Sequence, residues 1–439
     1  MTDQISHEAL LQAAATSTDE AGKVAELRAA IPATTAGIYL NAGSVGPLPR
    51  EVDAAIRQVQ EQELATGRAS EHLMDDVEVR VDELRGVFAS VLATDLELVA
   101  VAHSTTEAVM RALAATELQA GDRVVTIDEE YPAIRGSLAA RSARQGFSVA
   151  TVSTRDERGV AISDAEIVAR VTDLLVPPTR AIVISRVSWI SGRILPLEEI
   201  LPRARAAGII SIVDGAQSVG AMLDAIDALD PDVLAFPSQK WLLGIEGLAG
   251  MRLSRRALAA GGLQTPIGGF LAFSKPALDG VGAMHDDARR FQTSGFARPA
   301  LVGSARAAGW LSMQVGLPWA VARAGRLARA FAAGAASIPG VELLVGPGRH
   351  ATIVALRVNG WEASQLVEEF SRRAFAITRR VPGVAATADR PASSPALRTS
   401  WGFWNTDEEV ARMLELLTLF AAHTPESLPK RPPIEIIQR

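Results

Sequence analysis

Two residues in this chain are spaced for carbonyl chemistry. Asp214 ends the apolar run Ile209-Ile210-Ser211-Ile212-Val213, and Lys240 follows Phe236-Pro237-Ser238-Gln239. A short β-branched run closed by glycine reads as a buried parallel strand. Open α/β sheets place their chemistry at the carboxyl ends of such strands. A carboxylate there can hold a proton on a heterocyclic nitrogen, and a loop lysine can carry a carbonyl as an imine. Each has a plainer reading, since Asp-Gly is an ordinary turn signal and lysines are usually solvated. A second stretch, His103-Ser104-Thr105-Thr106-Glu107-Ala108, lies between a strand candidate and a helix. Hydroxyls beside the unpaired N–H groups of a helix start make an anion site. The same residues also read as a helix cap, Ser104 or Thr105 with Glu107 as its partner.

The elements that must position these residues alternate. Strand candidates are Leu98–Ala102, Arg123–Ile127, Ser148–Val152, Ala181–Ser185, Ile209–Val213, Asp232–Phe236 and Leu248–Leu253. Helical patterns fill Thr106–Leu118, Pro132–Gln145, Asp164–Leu175 and Leu197–Ala207. The alternation predicts an α/β fold, a mostly parallel, doubly wound seven-stranded sheet with helices on both faces. Before it come a helical arm to about Ile31, stopped by Pro32, a short strand around Ile38–Asn41, and helices over Pro49–Ala65 and Glu71–Leu92. After it, Gly261–Gly303 reads as loop-rich. A smaller α+β unit follows, with helices at Trp310–Ser337, Glu362–Arg373 and Thr406–His423 and strands at Thr352–Val358 and Ala374–Arg379. The expected division is 1–38 for the arm and helix, 39–304 for a large domain and 305–439 for a small C-terminal domain.

Composition removes whole classes of function. The 439 residues carry 44 basic and 50 acidic side chains, a net charge of −6, with no basic block. Nucleic-acid and anionic-membrane partners therefore have no support. No stretch approaches the ~18 apolar residues of a membrane span, and the first 30 residues do not resemble a signal peptide. The expected location is cytoplasmic. There is no cysteine, which excludes disulfides, thiolate metal sites and any protein thiol nucleophile. The six histidines are scattered, so no metal site is expected. Neither a Gly-x-Gly-x-x-Gly after the first strand nor a P-loop is present.

Taken in order, Thr105-Thr106-Glu107-Ala108, Asp214-Gly-Ala-Gln217, Ser238-Gln239-Lys240 and the segment Leu397-Arg398 to Glu409 resemble the class V aminotransferase family. Within it, Glu130-Tyr131-Pro132 and Trp189 resemble the isopenicillin N epimerase-like and C–S lyase-like subgroup. The resemblance runs from about Tyr39 to Leu417 and implies a fold type I enzyme that uses pyridoxal 5′-phosphate, normally as a homodimer with the site at the subunit boundary.

By that resemblance, Lys240 holds the cofactor aldehyde and moves the Cα proton, Asp214 pairs with the pyridine nitrogen, and Gln217 reaches the phenolic oxygen. Ser104, Thr105, Thr106 and Ser238 hold the phosphate, Tyr131 stacks on the ring, and Ser188 contacts the cofactor. Arg398 binds the substrate α-carboxylate, a task suited to a bidentate fork, while Asn41 and Trp189 shape the substrate pocket. The threonine that would reach the partner subunit's phosphate is replaced by Gly295, leaving Thr293 or Ser294 for that contact. The cysteine-bearing loop of desulfurases corresponds to Gly383–Ser394, which has no cysteine. The expected activity is β-elimination from an S-substituted cysteine. Transamination, epimerisation and decarboxylative deamination on the same fold come next, and a non-catalytic ligand-binding protein is the contrasting class. Arg379 or Arg380 could meet a distal substrate carboxylate.

Overall fold

The computed structural model describes residues 20–69, 72–265, 268–275, 282–345, 350–384 and 392–430. Its centre is a sheet of β1 (Val99–Ala102), β2 (Arg123–Ile127), β3 (Ser148–Val152), β4 (Thr179–Ser185), β5 (Ile210–Asp214), β6 (Val233–Pro237) and β7 (Ala249–Leu253). The order across it is β1-β7-β6-β5-β4-β2-β3. β2 to β6 run parallel, whereas β7 is antiparallel to both β6 and β1. Every strand lies within two residues of its sequence expectation.

Both faces are covered, because successive side chains of a strand point to opposite sides. Val125, Ile127, Ile182, Ile184, Val213 and Leu234 join one apolar cluster. Their neighbours Val124, Ala181, Val183, Ile212, Val233 and Ala235 join another on the opposite face. Near-continuous β-branched runs are what a sheet buried on both faces requires.

A second, antiparallel sheet contains Val341–Leu343, Ile353–Val358, Ala396–Ser400 and Arg379–Val381, in that order. The segment after Ile38 continues it, with parallel bridges from Tyr39 to Ile377 and from Asn41 to Ser400. The arm before it is a helix, Glu20–Ala30, fixed to the C-terminal part of the chain. Arg28 donates to Trp404 O at 2.8 Å and to Glu409 at 2.7 Å. The arm's expected residues 1–19 lie outside the described residues.

Two local expectations are corrected. The segment Gly261–Gly303 ends in a helix, Arg298–Trp310, which runs through the expected division at 304/305. Arg298 ties that helix to Glu63 and Asp76 of the large domain's flanking helices. The helices expected around Trp310–Ser337 are Arg298–Trp310 and Leu317–Ala336, joined by a π-helical turn, Leu311–Gly316. Gly316 at φ +85° and Pro318 re-set the backbone there. The strand expected at Ala374–Arg379 begins at Arg379, because the preceding helix runs to Ala374 and is turned by Phe375 in the left-handed region. Among the described residues no helix is long and apolar enough to cross a membrane.

Candidate active site

The carboxyl ends of β1, β4, β5 and β6 face the small sheet across a cavity of about 250 Å³. The large domain supplies its floor. Asp214 is the last residue of β5, buried, and pairs in register with Ser185 at the end of β4. Its carboxylate accepts from the Ala216 N–H at 2.7 Å. Burial pushes its pKa up; the Lys240 charge and that N–H oppose the shift. Lys240 comes from the turn after β6, and burial lowers its pKa to about 8. Asp214 partly restores the charge, while Arg398 and Arg379 lower it further. An amine with this pKa is partly unprotonated near neutral pH and can act as nucleophile or base.

The loop Asn41–Gly46 is strapped onto that turn. Gly46 N–H donates to Gln239 O at 2.7 Å, and a Cβ at Gly46 would stand 2.2 Å from Lys240 O. Only glycine permits this approach. Tyr131, the N-cap of helix Pro132–Gln145, puts its ring over the cavity, 5.9 Å from Lys240 Nζ and edge-on to Trp189 at 5.4 Å.

At the β1 end, Ser104 is the N-cap of helix Thr105–Ala114. Its Oγ accepts from the Glu107 N–H at 3.1 Å. Glu107 Oε2 accepts from the His103 N–H at 3.0 Å. Capping thus uses Ser104 and leaves Thr105 free: its buried Oγ1 has no partner, and the residue lines the cavity with Thr106. The first intrahelical bond is Ala108 N–H to Ser104 O, so the N–H groups of Thr105 and Thr106 precede the ladder. An orphaned hydroxyl and free amides at a helix start suit a phosphate.

The small sheet supplies the roof. Arg398, on strand Ala396–Ser400, is buried with its Nη1 on Trp189 O at 2.9 Å and its Nη2 on Ser44 Oγ at 2.9 Å and Asn41 Oδ1 at 3.3 Å. Asn41 therefore acts through Arg398. Burial, helped by the neighbouring Arg379, lowers the Arg398 pKa to about 9, which leaves the guanidinium charged at neutral pH.

Other expected contacts are arranged differently. Gln217 lines the cavity, but its amide donates to Gly43 O and accepts from Trp241 Nε1, at 2.8 and 3.0 Å. One N–H remains for a ligand. Ser188 does not line the cavity: its buried hydroxyl donates to Glu129 Oε2 and accepts from the Ile190 and Ser191 N–H groups. Ser238 Oγ is buried, without a partner, against Gly244 rather than on the cavity lining. Ser294 does not line the cavity either; its carbonyl meets His103 Nε2 at 3.1 Å, and the neighbouring Thr293 Oγ1 is buried and unpartnered. Residues 385–391 of the desulfurase-loop equivalent lie outside the described residues.

Sequence reasoning missed the role of Glu130. It is fully buried; its Oε1 accepts from Ser185 Oγ at 2.6 Å and the Tyr131 N–H at 2.7 Å, and its Oε2 has no partner. Burial, with Asp214 adding to it, raises its pKa to about 8. The adjacent Glu129 behaves oppositely. Burial pushes it up, but Arg155, Ser188, Ser191 and Thr154 outweigh that and hold it below the ordinary carboxylate range. Two neighbouring glutamates are thus set apart by their partners, which no sequence pattern shows. Ser185 and Arg379, also on the cavity wall, carry no motif.

The order of these parts and the sheet that carries them are those of the class V aminotransferases. The family's model matches residues 38–413, and the chain belongs to that family. It is a pyridoxal phosphate-dependent fold type I enzyme that acts on amino acids. It is 28% identical over 393 residues to isopenicillin N epimerase of Streptomyces clavuligerus, covering 87% of this chain and 94% of that protein. It is 27% identical over 261 residues to a probable cysteine desulfurase of Aeropyrum pernix, covering 58% of this chain and 61% of that protein. Among solved structures, the cystine C–S lyase C-DES in complex with cysteine persulfide superposes with a TM-score of 0.78 at 22% identity, over 88% of this chain and 99% of that one. The cysteine desulfurase CsdA of Escherichia coli superposes with a TM-score of 0.73 at 20% identity, over 89% and 96%. At such identities the structures show the fold.

Proposed function

We propose that this enzyme is a C–S lyase that cleaves S-substituted cysteines by β-elimination. The observation that carries the reading is a single buried amine, Lys240, poised between Asp214 and Arg398 in a chain with no cysteine to take up sulfur. Pyridoxal phosphate, when bound, supplies the electron sink for the pair released at Cα. Thr105 Oγ1 and the first amides of helix Thr105–Ala114 would hold its phosphate. The Asp214 carboxylate would keep a proton on its ring nitrogen, and Tyr131 would cover the ring. Lys240 Nζ would hold its aldehyde, and the same amine is placed to take the Cα proton of a bound amino acid. Arg398 orients the α-carboxylate. The C–S pair leaves with sulfur as a thiol, and addition of water to the remaining fragment releases pyruvate and ammonium.

Elimination needs one base, and Lys240 suffices. Epimerisation, the second reading, is favoured by the likeness to isopenicillin N epimerase but needs a second acid on the far face of Cα. The other acids at the site, Asp214 and Glu130, sit on the sheet side with Ser185. We also propose a homodimer in which Thr293 or Ser294 reaches the partner's phosphate, and a mass of two chains by sedimentation is the expected result.

The deciding experiment is mass spectrometry of products in deuterium oxide, from S-substituted cysteines and simple amino acids. Pyruvate and free thiol without an added keto acid are expected. Intact amino acid with deuterium at Cα and mixed chirality would replace elimination with epimerisation. A keto acid formed only with an amino acceptor would mean transamination.

A further inference from the structure

The roof of the cavity carries more positive charge than one α-carboxylate calls for. Arg379 and Arg398 are direct partners in the antiparallel pair formed by Arg379–Val381 and Ala396–Ser400. Directly opposed residues share a face, and like charges so placed repel. Both guanidiniums reach the same hydroxyl: Arg379 Nη1 donates to Ser44 Oγ at 2.6 Å and Arg398 Nη2 at 2.9 Å. Both line the cavity. Among the described residues neither has a carboxylate partner, although most arginines here are ion-paired. Arg380, the next residue, pairs with Leu397 and points to the other face.

The cofactor does not account for this charge. Its phosphate belongs to the β1 end, at Thr105 and Thr106, and its ring nitrogen to Asp214 on the floor. The two arginines also differ in depth. Arg398 is 1% exposed and fixed by Trp189 O and Asn41, whereas Arg379 is exposed at the cavity mouth. Two cations at different depths suit two anionic groups of one ligand rather than one group held twice.

Resting on the amino-acid reading above, we propose that the substrate is a dianionic amino acid whose α-carboxylate meets Arg398 and whose side-chain carboxylate meets Arg379. Ser44 sets the spacing of the two guanidiniums. Charge-assisted hydrogen bonds of this kind discriminate by about 10- to 100-fold against a neutral isostere.

The test is calorimetric binding to the cofactor-loaded enzyme with matched pairs that lack a β leaving group: aspartate against asparagine, glutamate against glutamine, and 2-aminoadipate against its δ-amide. The wild type should bind the acidic member of at least one pair about 10-fold or more tightly than the amide. Arg379→Gln should erase that preference and leave the amide within about 3-fold, while Arg398→Gln should weaken both members alike. Ser44→Ala should reduce the preference by a smaller factor, and this variant leaves both charges in place. Equal wild-type affinity within every pair would overturn the proposal. So would an Arg379→Gln loss equal for acid and amide, which would mean that both arginines clamp one α-carboxylate. If no amino acid binds, the amino-acid reading itself falls, and the proposal with it.

Discussion

The floor and the roof of the cavity solve opposite electrostatic problems. On the floor, Lys240 faces Asp214, Ser185 donates to Glu130 Oε1, and burial brings the amine and one glutamate to pKa values near 8. The Lys240 charge there is matched within the protein by Asp214. On the roof, Arg398 and Arg379 stand side by side with hydroxyls and carbonyls rather than carboxylates. That half carries positive charge that no carboxylate among the described residues matches. On the reading proposed above, the floor serves the cofactor and the roof the substrate, so substitutions on each should fail in different ways.

The largest effect belongs to the floor. Lys240→Ala should lower kcat by about 10⁴-fold or more. Borohydride treatment of the cofactor-loaded wild type should fix a mass increment on the Lys240 peptide and none on the variant. If the increment persists elsewhere, the assignment of Lys240 is wrong. Asp214→Asn, which preserves shape and removes charge, should cost about 10²-fold in kcat while cofactor retention falls less. Arg398→Gln, on the roof, should instead act mainly on substrate. A loss of about 10- to 100-fold in kcat/KM with unchanged cofactor absorbance is expected, and loss of cofactor would blur the division between the halves.

Smaller effects sharpen it further. Folded Glu130 keeps its proton to about pH 8, against 4.5 for the ordinary side chain, so the folded state binds the extra proton in that window. Stability from this group therefore falls as pH rises from about 4.5 to 8. Glu130→Gln, which keeps the acceptor for Ser185 and Tyr131, should raise Tm relative to wild type more at pH 8 than at pH 5. A constant difference would mean that Glu130 is ionised in the fold. Ser104→Ala should cost about 1 kcal/mol through the lost cap. Denaturant titration of the cofactor-free protein separates that from any effect on phosphate binding.

Much of the floor was legible in the sequence because local patterns encode it. The run ending at Asp214 had to be a strand buried on both faces, and Ser104 followed by Glu107 had to start a helix. These follow from side-chain periodicity and capping within a few residues. The roof was only half legible. Arg398 stood in a motif, but the rest of that segment proved structural: Asn405 ties Gly402 and Tyr39, and Thr406 with Glu409 caps the last helix. Arg379 could not be told from Arg380. Helix Arg298–Trp310 begins inside a stretch that read as loop and continues through a π turn, a feature set by packing rather than by period.

The sequence by itself determined the sheet, the strand ends that carry Asp214 and Lys240, the helix start at Ser104, and the absence of any protein thiol. These depend on residues near one another in the chain. Tertiary structure alone decided that Ser188 and Ser238 turn away from the cavity, that burial pushes the Glu130 pKa up while partners hold Glu129 down, and that Arg379 rather than Arg380 faces the cavity. Each is a matter of burial and of partners up to hundreds of residues away, such as Ser44 for Arg379, and only the folded chain brings those groups into contact.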